Sequence, residues 1–280
     1  MLSSNKKIWL VIGPTASGKT DKAIELAKEL NAPILSADSR QIYKELNIAV
    51  AKPNEAQLAM ATHYFINHVS IFEDYNVGQY VVEARHLINQ LFKTNQHIII
   101  CGGTGLYINS LFNGIDNLPP KNEKLRQELQ TIIDKEGIDT LIEKNREWLS
   151  ESLIKSKNPQ RIIRAIEIRQ SPTIEKVPLP HFETPFEIEK IFIQPERDLL
   201  YQRINKRVDD MIANGLEAEA RSLYKHRELN ALKTVGYSEW WPYFENLISK
   251  TEVIEKIKQH TRNYAKRQLT WFRNQGIGIG

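Results

Sequence analysis

The octet "GPTASGKT", Gly13 to Thr20, constrains this chain more than any other stretch. It fits G-x-x-x-x-G-K-[ST], a glycine-rich loop whose backbone amides cradle phosphate oxygens. The pattern carries weight only between a strand and a helix, and both flanks supply one. "KIWLVI" (7–12) is a β-branched apolar run and reads as a buried parallel strand. "KTDKAIELAKEL" then sets Ala23, Ile24, Ala27 and Leu30 at helical spacing. Gly13, Pro14, Thr15, Ala16, Ser17, Gly18, Lys19 and Thr20 are therefore candidate phosphate-loop residues. The amides from Thr15 to Thr20 suit an anion at a helix N-terminus, with Lys19 as a point charge and Thr20 as a hydroxyl for Mg²⁺. Such a loop recognises a polyphosphate and does not read what is attached to it.

Strands and helices keep alternating after the loop. "APILSAD" (32–38) and "HIIIC" (97–101) read as buried strands, "VGQYVVEARHLINQLF" (77–92) as an amphipathic helix, and "GGTGLY" as the start of a helix through Leu111. This predicts an α/β fold, a P-loop NTPase-like parallel sheet core. The pattern breaks at "NGIDNLPPKNE" (113–123), and everything to about Gln170 reads helical. "SPTIEKVPLPHFETPFE" (171–187) holds four prolines and reads as irregular, before a strand returns at 188–195. The expected organisation is a core of 1–119 and 187–280 with a mostly helical insertion domain at 120–186. Its length of 280 residues suits one domain with an insertion.

Further limits come from composition. The single cysteine, Cys101, closes an apolar run and reads as a small core residue; it allows no internal disulfide and no cysteine-rich zinc site. No apolar run is long enough to span a bilayer and no signal peptide is evident, so a cytoplasmic protein is expected. Net charge is +4, yet 250–280 holds seven Lys/Arg against two Glu. A basic terminus on a nearly neutral body suggests a local anionic partner.

Other candidate residues sit where the sheet ends. Asp38 closes the second strand at the carboxyl edge, where α/β ligands bind. It reads equally as a helix cap or Mg²⁺ ligand, or as a general base beside the phosphate loop. Ser39, Arg40 and Gln41 share that edge, and Thr104 presents a hydroxyl after the third strand. Arg203 and Arg207 lie four apart on a helix and matter only if that helix crosses the phosphate site. Arg161 and Arg164 give "PQRIIRAIEIR" a basic face, and Lys258, Arg262 and Lys266 step by four along the last helix. Each stripe, alone, reads more simply as a solvated face, though basic stripes with aromatics also fit nucleic acid.

Together these stretches resemble the tRNA dimethylallyltransferase family, the bacterial isopentenyltransferases of tRNA. The matching blocks are "GPTASGKT", "DSRQIY", "AKP" (51–53), "GGTGLY", "PQRIIRAIE", "RINKRVDDMIANGLEAEA", "VGYSEW" (235–240) and "YAKRQLTWFR" (264–273), in family order from residue 13 to 273. The resemblance implies that the loop holds dimethylallyl diphosphate and that the five-carbon group passes to the exocyclic amine of the adenosine just 3′ of the anticodon. It implies Asp38 as the base, Thr104 at the reacting centre and an arginine such as Arg207 on the leaving diphosphate. Asp38, Ser39, Arg40, Gln41 and Thr104 then contact the tRNA, with Gln160, Arg161, Ile162, Ile163, Arg164 and Arg126. Mg²⁺ on Thr20, the anticodon stem-loop as partner and a monomeric enzyme are the further expectations. One departure is Lys157-Asn158 before "PQR", where the family usually has Asn-Asp. The residues before it, 148–157, also differ from the usual pattern.

Three other readings compete. A small-molecule P-loop kinase explains the loop, Asp38 and the arginines, but not "GGTGLY", "PQRIIRA" or the basic last helix. An isopentenyltransferase of free adenine nucleotides would need neither the insertion nor the basic tail. A non-catalytic RNA-binding P-loop protein requires Asp38 to be structural.

Overall fold

The structure is a computed structural model, and residues 6–114, 119, 121–171 and 179–275 are described. The proline-marked stretches 113–123 and 171–187 fall partly outside these residues. The elements begin with β1 (Lys7–Ile12), α1 (Lys19–Leu30), β2 (Ile34–Ser36), α2 (Glu55–Met60), β3 (His63–Tyr64), α3 (Val77–Leu91), β4 (His97–Gly102) and α4 (Gly105–Asn113). Four helices follow: α5 (Glu123–Glu136), α6 (Ile138–Lys144), α7 (Glu151–Ser156) and α8 (Pro159–Gln170). The chain closes with β5 (Glu187–Phe192), α9 (Arg197–Ala213), α10 (Leu216–Leu223), α11 (Trp241–Phe244) and α12 (Lys250–Asn274).

The five strands form one parallel sheet in the order β3-β2-β4-β1-β5. Side chains alternate between its faces, and the strands β1, β2 and β4 are covered on both. Ile8, Leu10 and Ile12 join Leu35, Ile98 and Ile100 in one core cluster. Val11 joins Ile34 and Ile99 in another, sealed by Ala23, Ile24 and Ala27 of α1. Because β4 lies between β1 and β2, the chain leaves β1, passes β4 and comes back. The turns after β1, β2 and β4 thus emerge side by side at the carboxyl edge, the usual ligand position in such sheets.

Two compact units are present: Met1–Gly114 with Leu179–Gly280, and Ile115–Pro178. The expected insertion of 120–186 is thereby displaced. Leu179, Phe182 and Phe186 pack against the large sheet cluster, and Arg85 and Asn89 of α3 donate to the carbonyls of Pro180 and His181 at 3.1 and 2.8 Å. Those contacts tie 179–186 to the sheet. The insertion has its own core, built from Leu129, Leu141, Ile142, Leu149, Ile162, Ile163 and Ile166.

Within it, residues 139–155 do not form one helix. Asn145 Nδ2 donates to the Leu141 carbonyl at 2.9 Å, and Ser150 restarts the helix by accepting the Leu153 N–H. At the atypical Lys157-Asn158, Asn158 Oδ1 accepts the Arg161 N–H at 3.1 Å and caps α8, with Pro159 in its first turn. Among the described residues no helix is long and apolar enough to cross a membrane.

Candidate active site

The three turns at the sheet's carboxyl edge open into one cleft of about 1170 Å³. Its lining includes Thr15 to Asp21, Asp38 to Gln41, Arg207 and Gln268. Gly18 starts α1 with φ +99°, a conformation that an L side chain would strain. Not every loop amide expected to meet an anion is available. Thr15 N–H donates to Gln268 Oε1 at 2.8 Å and Ser17 N–H to the Pro14 carbonyl at 3.3 Å. Ala16, Gly18, Lys19 and Thr20 keep theirs without a protein partner among the described residues. Lys19 Nζ donates to the Pro14 carbonyl at 2.6 Å. Burial holds its pKa below the usual lysine value; Cys101 and Asp38 oppose this, and Arg207 adds to it. Ser17 Oγ is buried with no hydrogen-bond partner among the described residues.

α9 does cross the phosphate loop. Arg203 Nη1 donates to the Ser17 carbonyl at 3.3 Å, and Arg207, one turn on, lines the cleft. Burial pulls the Arg207 pKa down, against the charge of Asp21. The same helix changes the reading of the basic stripe on α12. Lys258 pairs with Asp209 at 2.8 Å, and Arg262 Nη1 donates to Asn205 Oδ1 at 2.6 Å. Two of the three stripe residues therefore fasten α12 to α9, and only Lys266 is exposed. Spacing showed a basic face without showing which neighbour it met.

Opposite the loop, Asp38 is partly buried. Its Oδ1 accepts the backbone N–H groups of Arg40 and Gln41 at 2.9 and 3.2 Å, which folds the turn back on itself. Oδ2 has no hydrogen-bond partner among the described residues. The cap role and a free basic oxygen thus coexist in one carboxylate. Thr104 Oγ1 accepts the Ser39 N–H at 3.0 Å, and Thr104 N–H donates to the Ala37 carbonyl at 3.2 Å. Arg40 Nη1 donates to the carbonyls of Asn230 and Ala231 at 3.0 and 3.2 Å, and Gln41 Nε2 to those of Val50 and Ala51 at 3.2 and 3.0 Å. Both side chains brace the cleft wall. Cys101 borders the cleft rather than the deep core, and burial pushes its thiol up to about 11, so it stays protonated and inert at neutral pH.

The insertion holds the other expected contact residues. Glu167, 0% exposed, accepts Arg126 Nε and Nη2 at 2.8 Å each, Asn122 N–H at 2.6 Å, and Arg164 Nη1. Burial alone would raise the Glu167 pKa, but the donors of Arg126, Arg164 and Asn122 outweigh it and lower it to about 2. Arg164 Nη2 also reaches the Pro119 carbonyl at 2.6 Å. Gln160 and Arg161 are exposed. Ile162 and Ile163 are buried at 0% and 7% exposure, and their side chains form part of the insertion's core.

Several cleft residues escaped the sequence reading. His260 Nδ1 pairs with the buried Glu239 at 2.7 Å, and Glu239 Oε2 accepts the Gly236 N–H at 2.8 Å. Tyr264 lines the cleft, and burial, aided by the charge of Asp38, pushes its hydroxyl up to about 12. Ile257, Thr261, Tyr264 and Gln268 recur at helical spacing along α12, and all line the cleft. That face lies beside the basic stripe, and its periodicity was the signal available.

The model of the IPP transferase family matches residues 41–275. The tRNA dimethylallyltransferase of Cytophaga hutchinsonii is 42% identical, over 96% of this chain and 90% of its own length. Among solved structures, the full-length tRNA isopentenylpyrophosphate transferase from Bacillus halodurans superposes with a TM-score of 0.68 at 32% identity, covering 96% of this chain and 87% of that one. The tRNA delta(2)-isopentenylpyrophosphate transferase from Staphylococcus epidermidis gives 0.69 at 31%, covering 98% and 92%.

Proposed function

The chain belongs to the IPP transferase family and transfers a dimethylallyl group to an adenosine of tRNA; from that premise we propose how its residues divide the work. Dimethylallyl diphosphate is the donor, N6 of the adenosine 3′ of the anticodon is the acceptor, and Asp38 is the base. The carrying observation is that Lys19 and Asp38 line one cleft. A diphosphate leaves readily once its charge is neutralised. The free amides of Ala16, Gly18, Lys19 and Thr20, the Lys19 ammonium and the Arg207 guanidinium supply that charge. The buried, unpartnered Ser17 hydroxyl suits a site whose missing partner is a ligand oxygen.

Adenine's exocyclic amine is a weak nucleophile, because its lone pair is delocalised into the ring. As N6 bonds to C1 of the dimethylallyl group, the C1–O bond to diphosphate breaks and an N6 proton passes to Asp38 Oδ2. Asp38 Oδ1, held by two backbone N–H groups, fixes the direction in which Oδ2 points. Thr104, tied to Ser39, would face the reacting centre. The adenosine must leave its stack to reach the cleft. Arg126, Gln160, Arg161 and Arg164 would hold tRNA on the insertion.

The residues fit a magnesium ion: Thr20 and Asp21 offer hard oxygen donors beside the diphosphate amides, the type of set Mg²⁺ takes together with substrate oxygens. Thr20 would hold it, and the ion would neutralise diphosphate charge. A cytoplasmic monomer accompanies this reading. The test is nucleoside mass analysis of unmodified tRNA after incubation with the protein, Mg²⁺ and dimethylallyl diphosphate, with ATP in a parallel reaction. The expected product is adenosine heavier by one dimethylallyl group at position 37, with no ATP turnover. Phosphate transfer from ATP without tRNA modification would favour the kinase reading instead.

A further inference from the structure

We propose that Gln268 is a positioning residue for the transfer, clamping the phosphate loop to the turn that carries Thr104. The inference rests on the functional reading above. Gln268 lies on α12, 7% exposed, on a stripe otherwise formed by Val253, Ile257, Ala265 and Phe272. A polar side chain on that stripe needs partners. It has two, on two different turns. Oε1 accepts the Thr15 N–H at 2.8 Å, and Nε2 donates to the Gly103 carbonyl at 2.9 Å.

The chemistry dictates the orientation of the amide. Thr15 N–H can only donate and so must face oxygen; the Gly103 carbonyl can only accept and so must face nitrogen. No side chain of one polarity can satisfy both. The approach is also close. A Cβ on Gly103 would lie 2.3 Å from Gln268 Nε2, and one on Gly105 would lie 2.2 Å from the Trp271 ring. Gly103 and Gly105 therefore admit α12, and Gln268 is what it delivers.

The consequence is geometric. Thr15 lies in the loop that holds the leaving diphosphate, and Gly103 directly precedes Thr104, whose hydroxyl accepts the N–H of Ser39 next to Asp38. One amide thus adds a tie, beyond the β1–β4 ladder that ends at Ile12 and Gly102, between the side that receives the diphosphate and the side that receives the amine. In-line displacement is sensitive to the spacing of the two sides, and a shift of about 1 Å can cost roughly 10²-fold in rate.

Gln268→Met keeps the length and volume and removes both hydrogen bonds. Steady-state kinetics with tRNA and dimethylallyl diphosphate should show kcat down by roughly 10²-fold, with tRNA Kd within about twofold of wild type. Because Gln268 acts through the Gly103–Thr104 turn, adding it to Thr104→Ala should lower kcat by only about threefold more, well short of the product of the single losses. Full multiplication of the losses, or a Gln268→Met turnover within about threefold of wild type, overturns the inference. So does a lowered melting temperature with kcat per folded molecule unchanged, the mark of a purely structural tie. If Gln268→Met does not fold, Gln268→Glu carries the same test, since it keeps the acceptor for Thr15 and loses the donor to Gly103. Wild type is run alongside: its failure to modify tRNA would sink the functional reading itself, whereas a normal wild type with an unaffected variant sinks only this step.

Discussion

The Thr104 hydroxyl accepts the Ser39 backbone N–H at 3.0 Å, linking the turn after β4 to the turn after β2. Two segments 65 residues apart in sequence are held side by side next to Asp38. Thr104→Ala leaves a partly buried N–H unpaired, at a cost of about 1–3 kcal/mol where it stood. If that energy aligns the base, kcat falls roughly 10–10²-fold, while Thr104→Ser, which keeps the acceptor, stays near wild type. Equal losses in both variants would show that the methyl group matters, not the hydrogen bond.

Lys19→Ala should weaken binding of dimethylallyl diphosphate and leave tRNA affinity largely unchanged. Its pH dependence carries a sign. Burial, aided by Arg207, lowers the Lys19 pKa, so the ammonium is lost as pH rises sooner than from an ordinary lysine. Wild-type diphosphate affinity should therefore fall on the alkaline side, and Lys19→Ala should lack that limb. Calorimetric titrations at several pH values check both. Loss of tRNA binding with diphosphate binding intact would put Lys19 elsewhere.

Acid should loosen the insertion through Glu167. Its pKa is depressed from 4.5 to about 2, so the stability it contributes is complete above about 4.5 and is lost as pH falls toward 2. Glu167→Gln, with less charge to lose, should flatten that dependence and lower stability at neutral pH. Urea melts followed by the fluorescence of a lone Trp148, the other four tryptophans replaced by Phe, read this out. Parallel pH curves for the two proteins would remove Glu167 from the account.

Salt dependence should separate the basic residues. Arg161 is exposed, and its replacement by Ala should weaken tRNA binding and flatten the salt slope by up to about one, the signature of a phosphate contact. Lys258 and Arg262 are joined to Asp209 and Asn205, so their replacement should lower thermal stability and leave the slope unchanged. A slope lowered by Lys258→Ala but not by Arg161→Ala would reverse this assignment.

Strands β1, β2 and β4 were legible because a parallel strand buried on both faces is written as an apolar run; β1 spans the residues that "KIWLVI" names, whereas the edge strand β5 is largely exposed and runs over Glu187–Phe192 rather than 188–195. Residues 43–76 yielded no element, since β3 has two residues and α2 buries none of its six. The phosphate loop was legible because its glycines and lysine are local. The cleft residues supplied by 239–268 were not. Gln268, Tyr264 and the Glu239–His260 pair reach the cleft only through packing that brings residues 239–268 against 15–104. Likewise the stripe of Lys258 and Arg262 looked free because Asp209 and Asn205 are far away in sequence. Local chemistry can be read from a chain, whereas a partner supplied by the fold cannot.

The most direct test concerns Asp38, with one oxygen fixed by Arg40 and Gln41 and the other open. The measurement is single-turnover transfer of labelled dimethylallyl diphosphate to tRNA by wild type and Asp38→Ala, alongside equilibrium binding of both substrates. In Asp38→Ala, binding should be nearly unchanged and transfer slowed by roughly 10²–10⁴-fold, the usual worth of a positioned general base. Transfer by Asp38→Ala at close to the wild-type rate would contradict that role and leave Asp38 as only the cap of its turn.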